Sequence, residues 1–344
     1  MAADPGILIV GAGVSGLACA KALAGSKGPL QILERSRGIG GRCTTRRIEG
    51  QPVDLGPVFL HGRSPGFLKA LEAVPARQLP GWPEQICGSG RPCQPEAFAP
   101  GERRIAFAEG LSSFPKSLGA GLDLHTETEV TGLEVAGARI RLRIKDGAPR
   151  EAGTVVLALA PEQVLRLLED GGAFAAAAPG ETATLRALLS LSHSEPSLTL
   201  AALYPAQVPL PAWQVWYPEE SRILQLVSHD SSKRPQPAFR ALVFQAHPRW
   251  SGAHLDAPDW PERILAEAGR LLGDWAASPL HRHPHRWRFA RTGRSGEMSA
   301  PLLFHLPGGA RLGVCGDRFA PGGGVEAAWL SGGALARRIQ QEDA

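Results

Sequence analysis

The stretch I-L-I-V-G-A-G-V-S-G, residues 7–16, decides the fold of this chain. Its first four residues are all apolar, as expected of a strand that is buried on both faces of a parallel sheet. The next six give the spacing G-x-G-x-x-G, and an apolar helix is predicted to follow over residues 17–24. A buried strand, a glycine turn and a helix in this order indicate a unit that binds the phosphates of a dinucleotide.

Each glycine of the turn has a mechanical task. Gly11 permits the tight turn, Gly13 lets a pyrophosphate approach the backbone, and Gly16 allows the helix to pack closely on the strand. The first N–H groups of the helix have no partner within the helix, and the helix dipole is positive at this end. Phosphates are therefore expected to bind there.

A second apolar strand, predicted over residues 30–33, ends at Glu34. An acidic residue about 20 positions beyond the glycine turn accepts hydrogen bonds from a ribose in units of this kind. A glycine-rich turn that arose by chance would not require such a residue directly after the second strand. We therefore interpret the first 34 residues as a βαβ dinucleotide half-site.

The residues that follow separate FAD from NAD, which share this half-site. Glu34 and Arg35 open a run E-R-x-x-x-x-G-G-R that closes with Gly41 and Arg42. The run resembles the second fingerprint of the glutathione-reductase-type FAD proteins, in the amine oxidase branch. The resemblance implies that Gly41 lets the chain pass close to the cofactor and that Arg42 meets its diphosphate, which suits a planar guanidinium. The alternative is that the arginines here belong to a solvated basic loop.

Length and composition indicate a globular protein with two domains. The chain has 344 residues, of which 43% are hydrophobic and 20% charged, with a net charge of +4. The positive charge is dispersed, and no basic run with interleaved aromatic residues predicts a nucleic-acid surface. Residues 7–23 lack the basic flank of a signal peptide, and no apolar run is long enough to span a membrane. We expect a cytoplasmic protein without a nucleic-acid or membrane partner.

The cysteines indicate neither a zinc site nor a disulfide framework, because their number is odd and C-x-x-C spacing is missing. They are Cys19, Cys43, Cys87, Cys93 and Cys315. Most are expected to be small buried side chains in a reducing compartment.

A second family segment follows the half-site. Residues 54–56 resemble the D-x-G segment that runs beneath the isoalloxazine ring in flavin amine oxidases. The chain continues with P-V-F at 57–59, where a renalase-type chain more often has A-Q-Y, so polar groups are lost there. The H-G pair that begins at His61 resembles the polyamine oxidase branch. His61 either faces a pocket or caps the helix predicted over 65–74.

Segments in the middle of the chain extend the resemblance. In the family, a valine at the position of Val130 meets the adenine through its backbone. Residues 230–233 match a D-S-S-K signature of bacterial renalase-like proteins. Lys233 lies in a proline-flanked loop and is not assigned as the lysine that bridges a water to flavin N5 in many amine oxidases. Gln245 stands where many members have a histidine, so a neutral amide replaces a titratable group.

Three histidines alternate at His281, His283 and His285 and should share one side of a strand. Three imidazoles on one face could ligate a metal. The alternative rests on the residues around Trp287, which resemble the family's interdomain strand H-x-W-R-(Y/F)-A. That strand needs no metal, and we expect none.

The C-terminal part resembles the G-D signature of the FAD superfamily. An apolar strand over 312–315 precedes Gly316 and Asp317, and a glycine-rich turn precedes a helix that begins near Val325. In the family the aspartate meets the ribityl chain, and the helix dipole stabilises negative charge on the reduced flavin. The alternative for Asp317 is a turn or an N-cap.

Matching segments extend over nearly the whole chain, which is identified as a renalase-like member of the flavin-containing amine oxidase superfamily. The resemblance implies an α/β fold with a Rossmann-like, glutathione-reductase-type three-layer FAD domain. A smaller, mostly antiparallel mixed-sheet substrate domain accompanies it. The FAD domain is expected over 1–74, 108–183 and 285–344, and the substrate domain over 75–107 and 184–284.

The resemblance also implies which residues form the site. Non-covalent contacts with FAD are expected from Gly11, Ala12, Gly13, Val14, Ser15, Gly16, Glu34, Arg35, Gly41, Arg42, Gly56, Pro57, Val58, Phe59, Val130, Gly316, Asp317 and Val325. Candidates for a substrate pocket are Phe59, His61, Gln245 and Trp287. A catalytic acid or base is not assigned.

The implied reaction is hydride transfer from a small nitrogen-containing substrate to flavin N5, with reoxidation by dioxygen to hydrogen peroxide. The substrate is an amine or a dihydronicotinamide isomer, so NAD(P)H or an isomer of it is a candidate. One alternative is a flavin-dependent dehydrogenase or desaturase that does not use dioxygen. Another is a non-catalytic binding protein on the same scaffold, because a fold does not fix a function. The oligomeric state is left open.

Overall fold

The computed structural model describes residues 6–25, 28–88, 94–169, 172–191, 193–209, 211–293 and 296–344. Its strands, in chain order, are β1 Ile7–Val10, β2 Leu30–Leu33, β3 Thr45–Ile48, β4 Gln51–Asp54, β5 Leu60–Gly62, β6 Gln78–Pro80, β7 Ile86–Cys87, β8 Arg103–Phe107, β9 Leu124–His125, β10 Val130–Ala136, β11 Arg139–Ile144, β12 Arg150–Ala152, β13 Thr154–Leu157, β14 Ser194–Tyr204, β15 Val215–Trp216, β16 Leu224–His229, β17 Arg240–Ala246, β18 His281–Thr292, β19 Leu302–His305 and β20 Arg311–Val314.

The α-helices in the described residues are α1 Val14–Leu23, α2 Pro65–Glu72, α3 Ser113–Gly119, α4 Pro161–Glu169, α5 Ala173–Ala177, α6 Pro179–Leu189, α7 Pro248–His254, α8 Trp260–Leu272 and α9 Gly324–Glu342. Short 3-10 helices occupy Pro95–Phe98, Asp230–Lys233 and Asp274–Ala277. None of the described helices is long and apolar enough to cross a membrane.

The chain divides into two compact units, and each is built from separated segments. The first unit comprises the described residues of Met1–Gly41, Pro115–Ser194 and Thr292–Ala344. The second comprises those of Arg42–Phe114 and Glu195–Arg291.

These boundaries differ from the expected ones mainly over residues 42–74, which belong to the second unit. The reason is hydrogen bonding and packing. β5, β8 and β6 form one sheet, which a boundary between residues 74 and 75 would cut. The hairpin β3–β4 shares a buried cluster with β14 and β17. Residues 184–189 stay in the first unit because α6 packs in its core through Leu185 and Leu189.

The first unit is organised around a sheet in the order β19-β20-β13-β1-β2-β9. β1 pairs in parallel with both β2 and β13, and β13 pairs in parallel with β20. One face of this sheet packs against the three-stranded sheet β10-β11-β12 and against α4 to α6. The α1 and α9 helices pack tightly together, and a Cβ on Gly332 would overlap the carbonyl oxygen of Ser15. The predicted Rossmann-like architecture is confirmed.

The second unit contains a six-stranded sheet in the order β18-β14-β17-β16-β15-β7. Its β14–β17, β17–β16 and β16–β15 pairs are antiparallel, whereas β15 pairs with β7 in parallel. One face is covered by α8 and the other by the β3–β4 hairpin. The predicted second domain with a mostly antiparallel sheet is confirmed.

The strands and helices predicted above lie within a few residues of the observed ones. The helix expected over 17–24 begins earlier, at Val14, because it starts directly at the glycine turn. Residues 75–100 are rich in proline, and the 3-10 helix among them begins at Pro95, because proline is tolerated in a first helical turn. Cys93 lies outside the described residues.

Candidate dinucleotide site and the segment over residues 54–59

The glycine turn after β1 has the geometry that a close phosphate approach requires. Gly11 has a φ of +102°, and a Cβ there would lie 2.6 Å from the carbonyl oxygen of Ala158. A Cβ on Gly16 would overlap the carbonyl oxygen of Gly11. At Gly13, by contrast, an added Cβ meets no atom within 4 Å. The turn is therefore closed toward the protein and open above Gly13.

The start of α1 supplies donors at this opening. Gly13 is the N-cap residue and offers no side-chain cap, and the first helical turn contains no acidic residue. Leu17 N donates to Gly13 O at 3.0 Å, so the amides of Val14, Ser15 and Gly16 precede the first intrahelical bond. An anion at this helix end is favoured by these amides and by the helix dipole.

Glu34 is buried beside the turn, with 8% of its surface exposed. Its Oε2 accepts a hydrogen bond from Ala12 N at 2.9 Å and its Oε1 accepts one from Ser36 N at 2.8 Å. Because each carboxylate oxygen has two lone pairs, both can accept a ribose hydroxyl as well. Arg35 is exposed. Val130 begins β10, and the segment before it hydrogen-bonds to the backbone of Glu34 through Thr128 N at 2.9 Å.

The second glycine pair lies directly on the first turn. Gly40 N donates to Ala12 O at 2.8 Å, and a Cβ on Gly41 would lie 3.3 Å from the Cα of Gly13. The two fingerprints therefore form one surface in the first unit. Arg42, the next residue, is partly buried, and its Nη1 donates to Ala290 O at 3.4 Å within the second unit.

The G-D segment lies at the same sheet edge as the glycine turn, because β20 runs parallel to β13 and β1. Gly316 N donates to Ser331 Oγ at 3.2 Å, and Thr292 Oγ1 donates to Asp317 Oδ2 at 3.1 Å. Cys315 is fully buried beside Ser15, and burial raises the pKa of its thiol to about 12. Val325 is the second residue of α9 and is partly exposed.

In the second unit, the D-L-G-P-V-F segment over 54–59 follows β4. Its backbone is held by side chains from distant elements: Trp287 Nε1 donates to Leu55 O at 3.0 Å, and Gln245 Nε2 donates to Gly56 O at 2.6 Å. A Cβ on Gly56 would overlap the carbonyl oxygen of Arg42, so only glycine fits there. Two candidates for substrate contact, Gln245 and Trp287, therefore bind the protein backbone.

Comparison with known proteins identifies the relatives of this chain. The description "Flavin containing amine oxidoreductase" applies to a family whose sequence model matches residues 81–340, and residues 9–72 match "NAD(P)-binding Rossmann-like domain". The chain belongs to the flavin-containing amine oxidoreductase family. The first match alone covers more than half of the chain.

Curated relatives match this family member over a short stretch. Polyamine oxidase 4 of Oryza sativa subsp. japonica is 38% identical over 61 residues, which are 18% of this chain and 12% of the relative. The zeta-carotene-forming phytoene desaturase of Myxococcus xanthus is 44% identical over 54 residues, 16% of this chain and 10% of the relative. The matches thus span about a tenth of the length of these relatives.

Solved structures share the fold over the whole chain. A wild-type putrescine oxidase bound to putrescine has a TM-score of 0.70 at 15% identity, covering 98% of this chain and 99% of that chain. The cyclohexylamine oxidase of Brevibacterium oxydans has a TM-score of 0.71 at 15% identity, with the same coverage. At this identity the likeness establishes the fold.

The second unit contains a buried cluster of four charges. Lys233 Nζ lies 2.6 Å from Asp54 Oδ2 and 2.7 Å from Asp230 Oδ1, and all three side chains are fully buried. Arg234 Nη2 lies 2.8 Å from Asp230 Oδ2 and 3.3 Å from Asp54 Oδ2. Burial by itself would raise the pKa of Asp54, but the charges of Lys233 and Arg234 lower it below its usual value.

The cluster also fixes the segment that follows β4. Lys233 Nζ donates to Val58 O at 3.0 Å and lies 4.7 Å from the centre of the Trp82 ring. Lys233 thus belongs to a 3-10 helix and has a structural role, whereas the sequence interpretation placed it in a proline-flanked loop. The sequence D-S-S-K-R at 230–234 could have indicated this role. If Lys233 and Arg234 are buried beside Asp230, a second acidic residue is needed to balance their charge.

Phe59 and His61 lie in an aromatic and ionic cluster of the second unit. Phe59 is fully buried, and its ring contacts those of Trp82 and Phe98 at centroid distances of 6.3 and 6.0 Å. His61 Nδ1 lies 3.0 Å from Glu102 Oε2, where 12% and 7% of the two side chains are exposed. His61 therefore pairs with Glu102, the residue before β8, and the N-cap of α2 is Ser64.

The three alternating histidines share one side of β18, as predicted, and are half-buried. His281 Nδ1 lies 3.7 Å from Glu49 Oε1, while the His285 and Trp287 rings are 4.1 Å apart. Burial, with smaller contributions from Arg46 and His283, lowers the pKa of His285 to about 4. Within the described residues no group of three or more His, Cys, Asp or Glu side chains could hold a metal ion.

Residues 250–255, with the sequence W-S-G-A-H-L, have a structural role. Ser251 Oγ accepts a hydrogen bond from Leu198 N at 3.0 Å, and the rings of Trp250 and His254 stack at 4.3 Å. These side chains join the start of β14 to α7.

Proposed function

We propose that this chain is a renalase-like, FAD-dependent oxidoreductase that oxidises a small nitrogen-containing substrate with dioxygen as the electron acceptor. The observation that carries the proposal is the surface formed by Gly13, Gly41 and the buried carboxylate of Glu34. An open approach above Gly13, unpaired helix amides and a ribose acceptor together fit an adenine dinucleotide.

The residues of the first unit bind and orient the cofactor in this proposal. The amides of Val14, Ser15 and Gly16 bind the diphosphate, Glu34 accepts the ribose hydroxyls, and Asp317 accepts from the ribityl chain. Val130 lies against the adenine, and the start of α9 near Val325 favours negative charge on the flavin. Arg42, which follows Gly41 directly in the chain and begins the second unit, would add a guanidinium for the diphosphate.

In this proposal the backbone over 56–59 would contribute to cofactor binding, as the family resemblance implies. Phe59 is fully buried among aromatic rings, which would exclude water there. When bound, FAD would supply the acceptor for a hydride from the C–H beside the substrate nitrogen, and dioxygen would take up the two electrons with two protons, matching the two hydrogens lost by the substrate, to give hydrogen peroxide. The substrate amine R₂CH–NHR′ becomes the imine R₂C=NR′, and water can hydrolyse it. Gln245 is an amide and supplies no proton.

Amines are favoured over dihydronicotinamides as the substrate class. The curated and structural relatives include proteins named polyamine, putrescine and cyclohexylamine oxidases. The identity shared with them is confined to a short part of the curated chains, so both classes belong in the test.

The test begins with purified protein mixed with FAD. We expect a yellow protein that retains one FAD after desalting, and peroxide formation with members of a panel of putrescine, spermidine, cyclohexylamine and the α- and β-isomers of NADH. The E34A variant should lose FAD affinity at least tenfold, because a ribose acceptor is removed. The matched control E134A changes an exposed glutamate on β10 and should bind FAD normally. A protein that is colourless after incubation with excess FAD and desalting would refute the proposal.

The phytoene desaturase match supports a second candidate, an FAD-dependent dehydrogenase or desaturase that does not use dioxygen. Flavin reduction by a donor under nitrogen, without peroxide formation in air but with turnover of an artificial electron acceptor, would favour it. Retained FAD without reduction by any donor would favour a non-catalytic binding protein.

A further inference from the structure

One side of β18 runs along the β3–β4 hairpin within the second unit. Trp287 Nε1 donates to Leu55 O at 3.0 Å, and His281 Nδ1 lies 3.7 Å from Glu49 Oε1. These contacts lie at opposite ends of the hairpin, because Glu49 belongs to its turn and Leu55 follows β4. The side chains between His281 and Trp287 on this side of β18 therefore lie beside the hairpin.

Two histidines and an arginine meet between these contacts. His283 and His285 share the side of β18 that faces the hairpin, since side chains two residues apart lie on one face of a strand. Arg46 on β3 pairs with Val53 on β4, which lies between the two anchored residues of the hairpin. Directly paired side chains share a face, and Val53 packs on β14 and β17. Arg46 is thus on the hairpin face that is turned toward the sheet.

The charge of Arg46 acts on both imidazoles. Burial lowers the pKa of His283 and of His285, and the Arg46 guanidinium lowers both further. Because a Coulomb interaction weakens with distance and with solvent screening, this influence agrees with a guanidinium that lies near both rings. We call Arg46, His283 and His285 the basic cluster.

Within the described residues the basic cluster has no acidic partner. None of its three side chains makes a hydrogen bond or lies within 4.0 Å of a carboxylate oxygen. The arginines on the opposite side of β18 are paired: Arg282 lies 2.8 Å from Glu262 and Arg288 lies 2.8 Å from Asp256. A guanidinium beside two imidazoles disfavours a metal cation and further protons, whereas an anion would be attracted to all three groups.

We propose that the basic cluster binds a phosphate group, either of inorganic phosphate or of a phosphate monoester. The planar fork of Arg46 can donate to two oxygens, and each neutral imidazole can donate one N–H. These donors suit the three acceptor oxygens of a phosphate monoester better than the two of a carboxylate. Arg46 is exposed and both histidines are half-buried, so the cluster is open to solvent. The inference goes beyond the proposed function and does not require FAD.

The test titrates inorganic phosphate into the purified full-length chain by isothermal calorimetry, against chloride at the same ionic strength. We expect saturable binding of one phosphate. R46Q and the double variant H283Q/H285Q should each weaken it about tenfold or more, because hydrogen bonds to a charged group are removed. The titration is repeated in excess FAD, which separates the basic cluster from phosphate contacts at the glycine turn.

Two matched controls remove a positive charge next to the cluster. R47Q changes the neighbouring arginine of β3, which alternates to the other face of the hairpin and donates to Gly50 O at 3.3 Å. R288Q changes an arginine on the other side of β18. Both controls should bind phosphate as the wild type does.

Nuclear magnetic resonance locates the bound anion. Phosphate should shift the Cε1–H signals of His283 and His285, which are assigned by their loss in H283Q and H285Q. The signal of His254, which stacks on Trp250, should stay in place. Phosphate should also raise the thermal midpoint of the wild type and R47Q by mass action, but not that of R46Q.

Phenyl phosphate distinguishes the two sources of the group. Tighter binding than that of inorganic phosphate assigns the cluster to a phosphorylated molecule, and weaker binding assigns it to the free anion.

The inference is overturned if phosphate binds no better than chloride, if R46Q and R47Q weaken binding equally, or if FAD abolishes binding. Its failure is distinct from that of the proposed function. A yellow protein without phosphate binding refutes the basic cluster alone, and a protein that binds phosphate but no FAD refutes only the proposed function.

Discussion

The dinucleotide turn of the first unit and the carbonyl-bound segment of the second are built in opposite ways. The turn uses backbone amides and glycines from residues 11–41, held by bonds such as Gly40 N to Ala12 O. The segment over 54–58 is held by side chains up to 232 residues distant. A local motif can specify the first kind of site, whereas the second exists only when remote strands have paired. The following experiments test this contrast.

The largest effect is expected from K233M in the buried charge cluster. Removing one cation leaves Asp54 and Asp230 with less compensation, and breaking a buried ion pair costs about 3–5 kcal/mol of unfolding free energy. Urea denaturation followed by far-UV circular dichroism measures this. K145M, which breaks the exposed pair with Glu129, is the matched control and should leave the midpoint unchanged. A loss below about 1 kcal/mol in K233M would show that the cluster is not a structural centre.

The next experiment tests the turn, where two glycines should respond differently to alanine. G13A places its Cβ in open space, so the protein without FAD should unfold as the wild type does. Its affinity for FAD should fall tenfold or more, about 1.4 kcal/mol, because the diphosphate needs that space. Fluorescence titration with FAD gives the affinity.

G16A is the counterpart, because its Cβ would overlap the carbonyl oxygen of Gly11 and α1 must shift. It should lower the unfolding midpoint without FAD, which differential scanning calorimetry measures. Equal behaviour of G13A and G16A in both assays would contradict the division of tasks between the two glycines.

A smaller effect concerns His285, whose pKa is lowered from 6.5 to about 4 by burial. The unfolded chain binds the proton first, so the stability due to the neutral ring is complete above pH 6.5 and is lost as pH falls toward 4. Since the ring is partly exposed, solvent screening reduces the loss to about 1 kcal/mol. Unfolding free energies of H285Q and the wild type should diverge over this range. Parallel curves would show that His285 titrates normally.

The smallest effect is expected at Arg141 on β11, an exposed residue that pairs with Glu151 at 2.6 Å. Arg139, Arg141 and Arg143 alternate with apolar residues along β11, which indicates that this row of arginines is a solvated face. R141Q should leave the unfolding midpoint, FAD affinity and peroxide formation unchanged, as measured in the assays above. A loss of FAD affinity would instead identify this row as a binding surface.

The sequence by itself predicts the first unit well, because its features are local. An apolar run, three spaced glycines and Glu34 specify a strand, a turn and an acceptor within 34 residues. The sequence also predicts the C-terminal G-D segment, because an apolar strand leads into it. In the structure this strand is β20, which lies parallel to β13. In each case only a few residue types permit the backbone conformation or the close approach of neighbouring atoms. The residue types therefore predict the local structure.

Only the tertiary structure decided the roles of Lys233, Gln245 and Trp287, and the placement of residues 42–74 in the second unit. Each of these side chains could equally face solvent, a substrate or a carbonyl oxygen. The choice depends on strand pairing and on the desolvation of charges, which involve residues far apart in the chain. Local spacing carries no record of such partners, because the energy that selects them arises only when the sheet has formed.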